Sequence, residues 1–378
     1  MDTIAKTMMN TDTDADGRTG KRKPDIVVLG AGTWGTALAR LFANTGKKVT
    51  VWSIDPREVE EYSLTRRHPK LPGMIIPKNI EFTADISCVN AGSTDDADCA
   101  GGAACADDAG STDGPQFIVF AVPSVYIRST AEKAARYLSG AKLPIIINVA
   151  KGIEKGTLFT MSDILHDVFP EHRVVTLSGP THAEEVALDM PTTIVSACAD
   201  TETAETVRRL FDGTCIRAYI NTDVTGVELS GALKNIIALA AGISVGAGYG
   251  DNSKAAIITR GLAEIKRLGV AMGCSENTFS GLAGIGDLVV TATSMHSRNN
   301  KCGMLIGQGV PAEEAVKQVG MVVEGLNALG PAMDLAEKYH VEMPVVTAVS
   351  KVVSGMSAKE AAAGLLTKPS STGDYVDR

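Results

Sequence analysis

Lys234, followed by Asn235, stands at the head of a stretch, Ile236 to Gly250, that carries no charged side chain. Burying an ammonium costs several kcal/mol unless it is paired. A lysine held in such a place has a movable pKa and can give or take a proton near neutrality. A snorkelling lysine on an ordinary core helix fits the same residues, so the neighbours decide. Asp251, Asn252 and Arg260 follow the glycines of Gly246-Ala247-Gly248-Tyr249-Gly250, which is a dense polar cluster for an otherwise apolar region. Downstream, the glycine-punctuated turn Leu282 to Leu288 bears one acid, Asp287, and Ser297-Arg298-Asn299-Asn300-Lys301 is a polar, basic patch. Asp287 could hold the Lys234 ammonium, or merely cap a helix. Arg298 has the planar fork that suits a phosphate, with Asn299 as a further donor, although a solvated loop has the same composition. Upstream, Lys151 lies in Ala150-Lys151-Gly152, and Gly179-Pro180-Thr181-His182-Ala183 forms a turn. His182 falls in that turn, but no His, Cys, Asp or Glu spacing suggests a metal site.

These residues need a scaffold, and the first part of the chain supplies its pattern. The run Asp25 to Leu29 reads as a buried strand, Trp34 to Asn44 as a helix, and Lys48 to Trp52 as a second strand. Between the first strand and the helix stands Gly30-Ala31-Gly32-Thr33-Trp34-Gly35. Strand, G-x-G-x-x-G, helix and strand form the dinucleotide fingerprint in its required context. Gly30 permits the tight turn, Gly32 lets the backbone approach a pyrophosphate, and Gly35 lets helix and strand pack closely. The helix N-terminus offers free N–H groups to the phosphates. At the ribose two readings stand. Asp55 favours the free 2′-hydroxyl of NAD but sits late, whereas Arg57 suits a 2′-phosphate, and both also fit solvated loop charges.

Residues 73–80 read as a loop. Further strands are expected at 117–122, 145–149 and 174–177, with closing strands at 192–197 and 216–220. Ligands in open α/β sheets bind beyond the carboxyl ends of the strands, which is where Lys151 and the Gly179 to Ala183 turn fall. From Asp223 onward helical patterns dominate. The expected class is α/β: a Rossmann-type dinucleotide-binding domain followed by an all-helical domain. The expected division is a disordered tail at 1–23, a dinucleotide-binding domain at 24–221 with a low-complexity acidic insertion at 90–115, and a helical substrate domain at 222–368.

With 378 residues, two domains are expected, and a 44% apolar content allows a sizeable core. The net charge of −8 argues against a nucleic-acid partner. The seven cysteines include no C-x-x-C, so free thiols in a reducing compartment are expected. The N-terminal stretch lacks the apolar core of a signal peptide. No uncharged apolar run reaches the roughly 20 residues of a membrane span. A soluble, cytoplasmic protein is the expectation.

Taken in order, GAGTWGTALA, AVPS, KGIE, SGPTHAEE, GALKNIIA, GDNSKAAIITRGLAE, GLAGIGDL and SRNNKCG form a specific set. On that set the chain resembles the NAD(P)-dependent glycerol-3-phosphate dehydrogenases of the bacterial biosynthetic type, from about Pro24 to about Ala363. The resemblance implies reversible hydride transfer between NAD(P)H and dihydroxyacetone phosphate, giving sn-glycerol 3-phosphate for glycerophospholipid synthesis. It implies Lys234 as proton donor and acceptor, and Lys151, Gly179, Thr181, Asp287, Ser297, Arg298 and Asn299 along the glycerol phosphate. Thr33, Trp34, Lys151, Ala183, Arg298 and Glu324, with Val322 beside them, would touch the nucleotide, NAD or NADP, together with Gly30, Gly32 and Gly35. Two residues depart from the pattern. Ala150 replaces the usual Ser or Thr, and Ile54 replaces a common basic or polar residue, which weakens any NADP preference. No metal, nucleic acid or membrane span is implied, and a homodimer is left open. The rivals are a 3-hydroxyacid or 6-phosphogluconate dehydrogenase, which would space lysine and asparagine as K-x-x-N, and a non-catalytic nucleotide sensor.

Overall fold

The computed structural model describes residues 23–90, 114–138, 143–294 and 297–366. The expected tail, apart from Lys23, and the expected insertion, apart from its ends, lie outside the described residues.

Eight strands form one sheet in the order β3-β2-β1-β4-β5-β6-β7-β8. They are β1 (Ile26–Leu29), β2 (Val49–Trp52), β3 (Ile80–Thr83), β4 (Phe117–Phe120), β5 (Ile145–Asn148), β6 (Val174–Ser178), β7 (Thr192–Ala197) and β8 (Ile216–Asn221). All neighbours run parallel except β6 and β7, which are antiparallel. The first six strands have the 3-2-1-4-5-6 order of a dinucleotide sheet. β1, β2, β4 and β5 are buried along their whole length, as strands covered on both faces require. Alternation sends Ile26 and Val28 into one core with Leu38 and Phe42, and Val27 and Leu29 into the other with Phe120 and Ile146. The helices around the sheet are α1 (Thr33–Asn44), α2 (Pro56–Thr65), α3 (Ile127–Ala135), α4 (Met161–Val168), α5 (Ala183–Val186) and α6 (Thr201–Arg208).

Beyond β8 the described chain is helical: α7 (Val224–Gly246), α8 (Asp251–Ala271), α9 (Glu276–Phe279), α10 (Asp287–Thr293), α11 (Arg298–Gly307), α12 (Ala312–Val319), α13 (Glu324–Lys338), α14 (Pro344–Val353) and α15 (Ala358–Leu366). α7 is the central helix, buried from Gly226 to Ser244. By length and apolarity it could cross a membrane, although Glu228 and Lys234 interrupt its uncharged run. Yet 89% of its most apolar window is buried inside the protein, so it is a core helix here. α11 crosses it along a glycine seam. A Cβ on Gly242 or Gly246 would lie 2.1 Å from the carbonyl oxygen of Asn300 or Met304, and one on Gly303 or Gly307 would lie 2.2 Å from that of Leu239 or Ile243.

Two elements were not foreseen. The segment 73–80 read as loop is one up to residue 79, but β3 begins at Ile80, and its four residues pair with β2. The charges of Asp55 and Arg57 do not sit in a loop, because Asp55 caps α2 and Pro56 opens it. A short Pro-Arg-Glu start with a mixed amphipathic pattern gave too little periodicity to find that helix.

Candidate active site

Asp287 is the centre of the polar cluster. The turn before it, Leu282–Gly286, is a wide helical turn kinked at Gly284, where a Cβ would meet the Phe279 carbonyl at 2.1 Å. That kink starts α10 with Asp287 directed at α7. The Asp287 side chain is 2% exposed, and its two oxygens hold two ammonium groups. One accepts Lys151 Nζ at 2.6 Å, and the other accepts Lys234 Nζ in a short contact. Lys234 Nζ also donates to Thr291 Oγ1 at 2.7 Å, and Thr291 donates to the Asp287 carbonyl at 2.7 Å. Lys151 Nζ donates to the Gly179 carbonyl at 3.1 Å, which Thr181 Oγ1 also reaches at 3.1 Å. Gly179 has φ +140°, a conformation that few other residues adopt, and it turns its carbonyl back toward Lys151.

The electrostatics follow from burial and this pairing. Burial pushes the Lys234 ammonium down to about 7, with Asp287 opposing the fall and Lys151 adding to it. Burial also pushes the Asp287 carboxyl up, but Lys151 and then Lys234 reverse that and hold it below its ordinary value. His182 is held below its usual value by burial, with the Lys234 charge next.

A second cluster joins α7, α11 and α13. Asn299 Nδ2 donates to Asn235 Oδ1 at 2.9 Å, and Asn299 Oδ1 accepts the Gly325 N–H at 2.9 Å. One amide hydrogen of Asn299 remains for a ligand. Ser297 caps α11 through the Asn300 N–H at 3.2 Å, and the first turn holds no acid, so the helix end suits an anion. Arg298 in that turn is exposed and reaches the Val322 carbonyl at 3.4 Å.

The fingerprint turn forms a third group. Gly30 has φ +123°, and a Cβ on Gly35 would lie 2.1 Å from the Gly30 carbonyl oxygen. Gly30 and Gly35 pack on Ala121, just past β4. Thr33, Trp34 and Gly35 form the first turn of α1, which has no side-chain cap and no acid. That uncapped N-terminus fits a dinucleotide pyrophosphate. From Ala121 the chain runs to Ser124, whose N–H and hydroxyl donate to the Glu324 carboxylate at 3.1 and 2.6 Å. Ser124 also abuts Gly152, where a Cβ would lie 2.4 Å from its own. Ala183 begins α5, buried, directly after the Gly179 turn. The structure thus joins Lys151, Gly179, Thr181, Lys234 and Asp287 around one carboxylate, and Arg298 with Val322. Glu324 meets the sheet through Ser124.

The model of the NAD-dependent glycerol-3-phosphate dehydrogenase N-terminus matches residues 25–95 and 103–204, and that of the C-terminus matches 223–363. The chain belongs to this family. A glycerol-3-phosphate dehydrogenase [NAD(P)+] 2 from Lactobacillus delbrueckii subsp. bulgaricus is 52% identical over 350 residues, 91% of this chain and 97% of the relative. A glycerol-3-phosphate dehydrogenase [NAD(P)+] from Agathobacter rectalis is 46% identical over 345 residues, 91% and 96% of the two chains. The crystal structure of a glycerol-3-phosphate dehydrogenase from Coxiella burnetii superposes with a TM-score of 0.81 at 32% identity, covering 92% of this chain and 99% of that one.

Two side chains of these groups escaped the sequence reading. Thr291 stands four residues after Asp287, hence on the same helix face, and that spacing was available. Ser124 lay in the AVPS motif, but nothing local tied it to Glu324, 200 residues away. Among the described residues no three His, Cys, Asp or Glu side chains converge as for a metal ion.

Proposed function

We propose that this member of the family interconverts dihydroxyacetone phosphate and sn-glycerol 3-phosphate with NAD(P)(H), with Lys234 as its acid and base. The supporting observation is that one buried carboxylate, that of Asp287, is shared by the Lys151 and Lys234 ammonium groups. The bound nucleotide supplies or accepts the hydride at the substrate carbon. In ketone reduction, charge grows on the substrate oxygen. The Lys234 ammonium stabilises it and then gives up its proton. Asp287 and Thr291 hold that ammonium in one orientation. Lys151, Gly179 and Thr181 lie on the sheet side of the same cluster. Ser297, Arg298 and Asn299 are assigned to the phosphate at the start of α11. Gly30, Gly32, Thr33, Trp34 and Gly35, with Lys151, Ala183, Arg298, Val322 and Glu324, are assigned to the nucleotide.

The same reading divides the chain at about residue 222, supported by the end of β8 at Asn221 and the start of α7 at Val224. It places the enzyme in the cytoplasm, supporting glycerophospholipid synthesis. The described cysteines, Cys88, Cys198, Cys215, Cys274 and Cys302, are all free, which supports a reducing compartment. A homodimer is the proposed assembly, which sedimentation will test.

The activity test is NADH consumption on mixing with dihydroxyacetone phosphate. Wild-type protein should turn over, and folded Lys234→Ala should lose about 10²–10⁴-fold in kcat, with nucleotide affinity nearly unchanged. A folded Lys234→Ala protein that kept most of its kcat would remove Lys234 from the role.

A further inference from the structure

We infer that Glu58, held by Ser53 at the tip of β2, selects between the free 2′-hydroxyl and the 2′-phosphate of the adenosine ribose. The inference rests on the reading that this sheet edge binds NAD(P). Leu29 pairs with Trp52, and the Gly30 N–H donates to the Trp52 carbonyl at 2.9 Å. Ser53, the next residue, therefore lies beside the Gly30 turn. Ser53 is buried, and its hydroxyl donates to Glu58 Oε2 at 2.6 Å while accepting the Asp55 N–H at 3.2 Å. Glu58 thus reaches back from the first turn of α2 to the strand end. In sheets of this order, that strand end is where an acid accepts the ribose hydroxyl. An anion there opposes a 2′-phosphate. Ser53 uses one Glu58 oxygen, which leaves lone-pair capacity on the carboxylate.

Asp55 is nearer the strand in sequence, but its carboxylate is committed elsewhere. It accepts the Arg57 N–H at 2.9 Å as the cap of α2, and it takes Arg57 Nε and Nη2 at 3.1 and 2.8 Å. The acid and base that the sequence offers as opposing determinants therefore pair with each other. Glu58 is the carboxylate turned toward the strand end. A plainer role exists: Ser53 and Glu58 could only fix the entry to α2. That role treats the two nucleotides alike.

The experiment measures the affinities of NAD+ and NADP+ by calorimetry, with kcat/KM for NADH and NADPH, in wild type, Glu58→Gln, Ser53→Ala and Asp55→Asn. Glu58→Gln should move the ratio of affinities toward NADP+ by about 10–100-fold, the span of one charge-assisted hydrogen bond. Ser53→Ala, which frees Glu58 without removing its charge, should move it less and in the same direction. Asp55→Asn should leave the ratio within about twofold. Equal changes for both nucleotides, or a shift found in Asp55→Asn instead, overturn the assignment of Glu58. Wild-type protein that bound neither nucleotide would overturn the sheet-edge reading as well. Wild type that binds, with an unmoved ratio in Glu58→Gln, overturns only the inference.

Discussion

Lys234 is 7% exposed, and an ammonium at that depth persists only beside a counter-charge. Asp287 supplies one charge to two cations, so each lysine weakens the other's hold. Burial then brings Lys234 to about 7, where both protonation states are accessible. The sign for each direction follows. Ketone reduction needs the ammonium, so kcat should fall as pH rises through about 7. Alcohol oxidation needs the neutral amine, so kcat should rise over the same range. Rate profiles in both directions check this, and two profiles of the same sign would contradict it. Asp287→Asn removes the group that raises the Lys234 pKa. Its reduction profile should shift to lower pH by about one unit or more. For Arg298→Ala, kcat/KM for dihydroxyacetone phosphate should drop about 10–100-fold, and that for unphosphorylated dihydroxyacetone little. Equal losses for the two substrates would move Arg298 away from the phosphate.

The distances in the site depend on how closely whole elements approach. α7 carries Lys234 and Asn235, and α11 carries Arg298 and Asn299. The glycine seam lets backbone touch backbone, and this brings the Asn235 and Asn299 amides to 2.9 Å. A methyl at Gly242 or Gly303 meets a carbonyl oxygen at 2.1 or 2.2 Å, and a backbone cannot yield as a flexible side chain can. Gly242→Ala and Gly303→Ala should each cost about 1–3 kcal/mol or more, the usual result of overpacking. Chemical denaturation measures it. Gly330→Ala makes a fair control, since Gly330 lies inside α13 and its Cβ would meet nothing within 4 Å.

Across the whole molecule, Glu228 fastens the sheet to α7. Its buried carboxyl accepts Asn148 Nδ2 and Thr176 Oγ1, both at 2.8 Å, and Ser162 Oγ at 2.6 Å. Asn148 in turn accepts the Ala150 N–H at 2.9 Å, one residue before Lys151. The two lysines of the site therefore hang from one network, six residues of α7 apart from Glu228 to Lys234. Burial pushes the Glu228 carboxyl up, so the network relies on its donors. The match to the family N-terminal model breaks between residues 95 and 103, inside the acidic stretch. Deleting the residues between those positions should leave kcat within about twofold, because the family's pattern is matched without them and a change in connection length costs little. Loss of folded protein would show that the segment packs against something.

The nucleotide half was legible because its signals are local. Buried β-branched runs, a glycine fingerprint between strand and helix, and Lys151 and Gly179 at strand ends all depend on neighbours a few residues away. Lys234 was legible as a charge out of place in an apolar stretch. That Asp287 could hold Lys234 was legible as one of two readings, but that the same carboxylate also holds Lys151 was not. Asp287 lies 53 residues from Lys234 and 136 from Lys151, and only a kink at Gly284 turns its carboxylate between them. The pairing of the two candidate ribose charges, Asp55 and Arg57, was hidden for the same reason. Sequence distance favoured Asp55, but the start of α2 engages Asp55 as its cap and turns Glu58 back to Ser53. Residue type and short-range spacing set the repertoire of groups. Which of them share a proton or a carboxylate is set by helix crossings and turns, whose energies come from packing between segments distant in the chain.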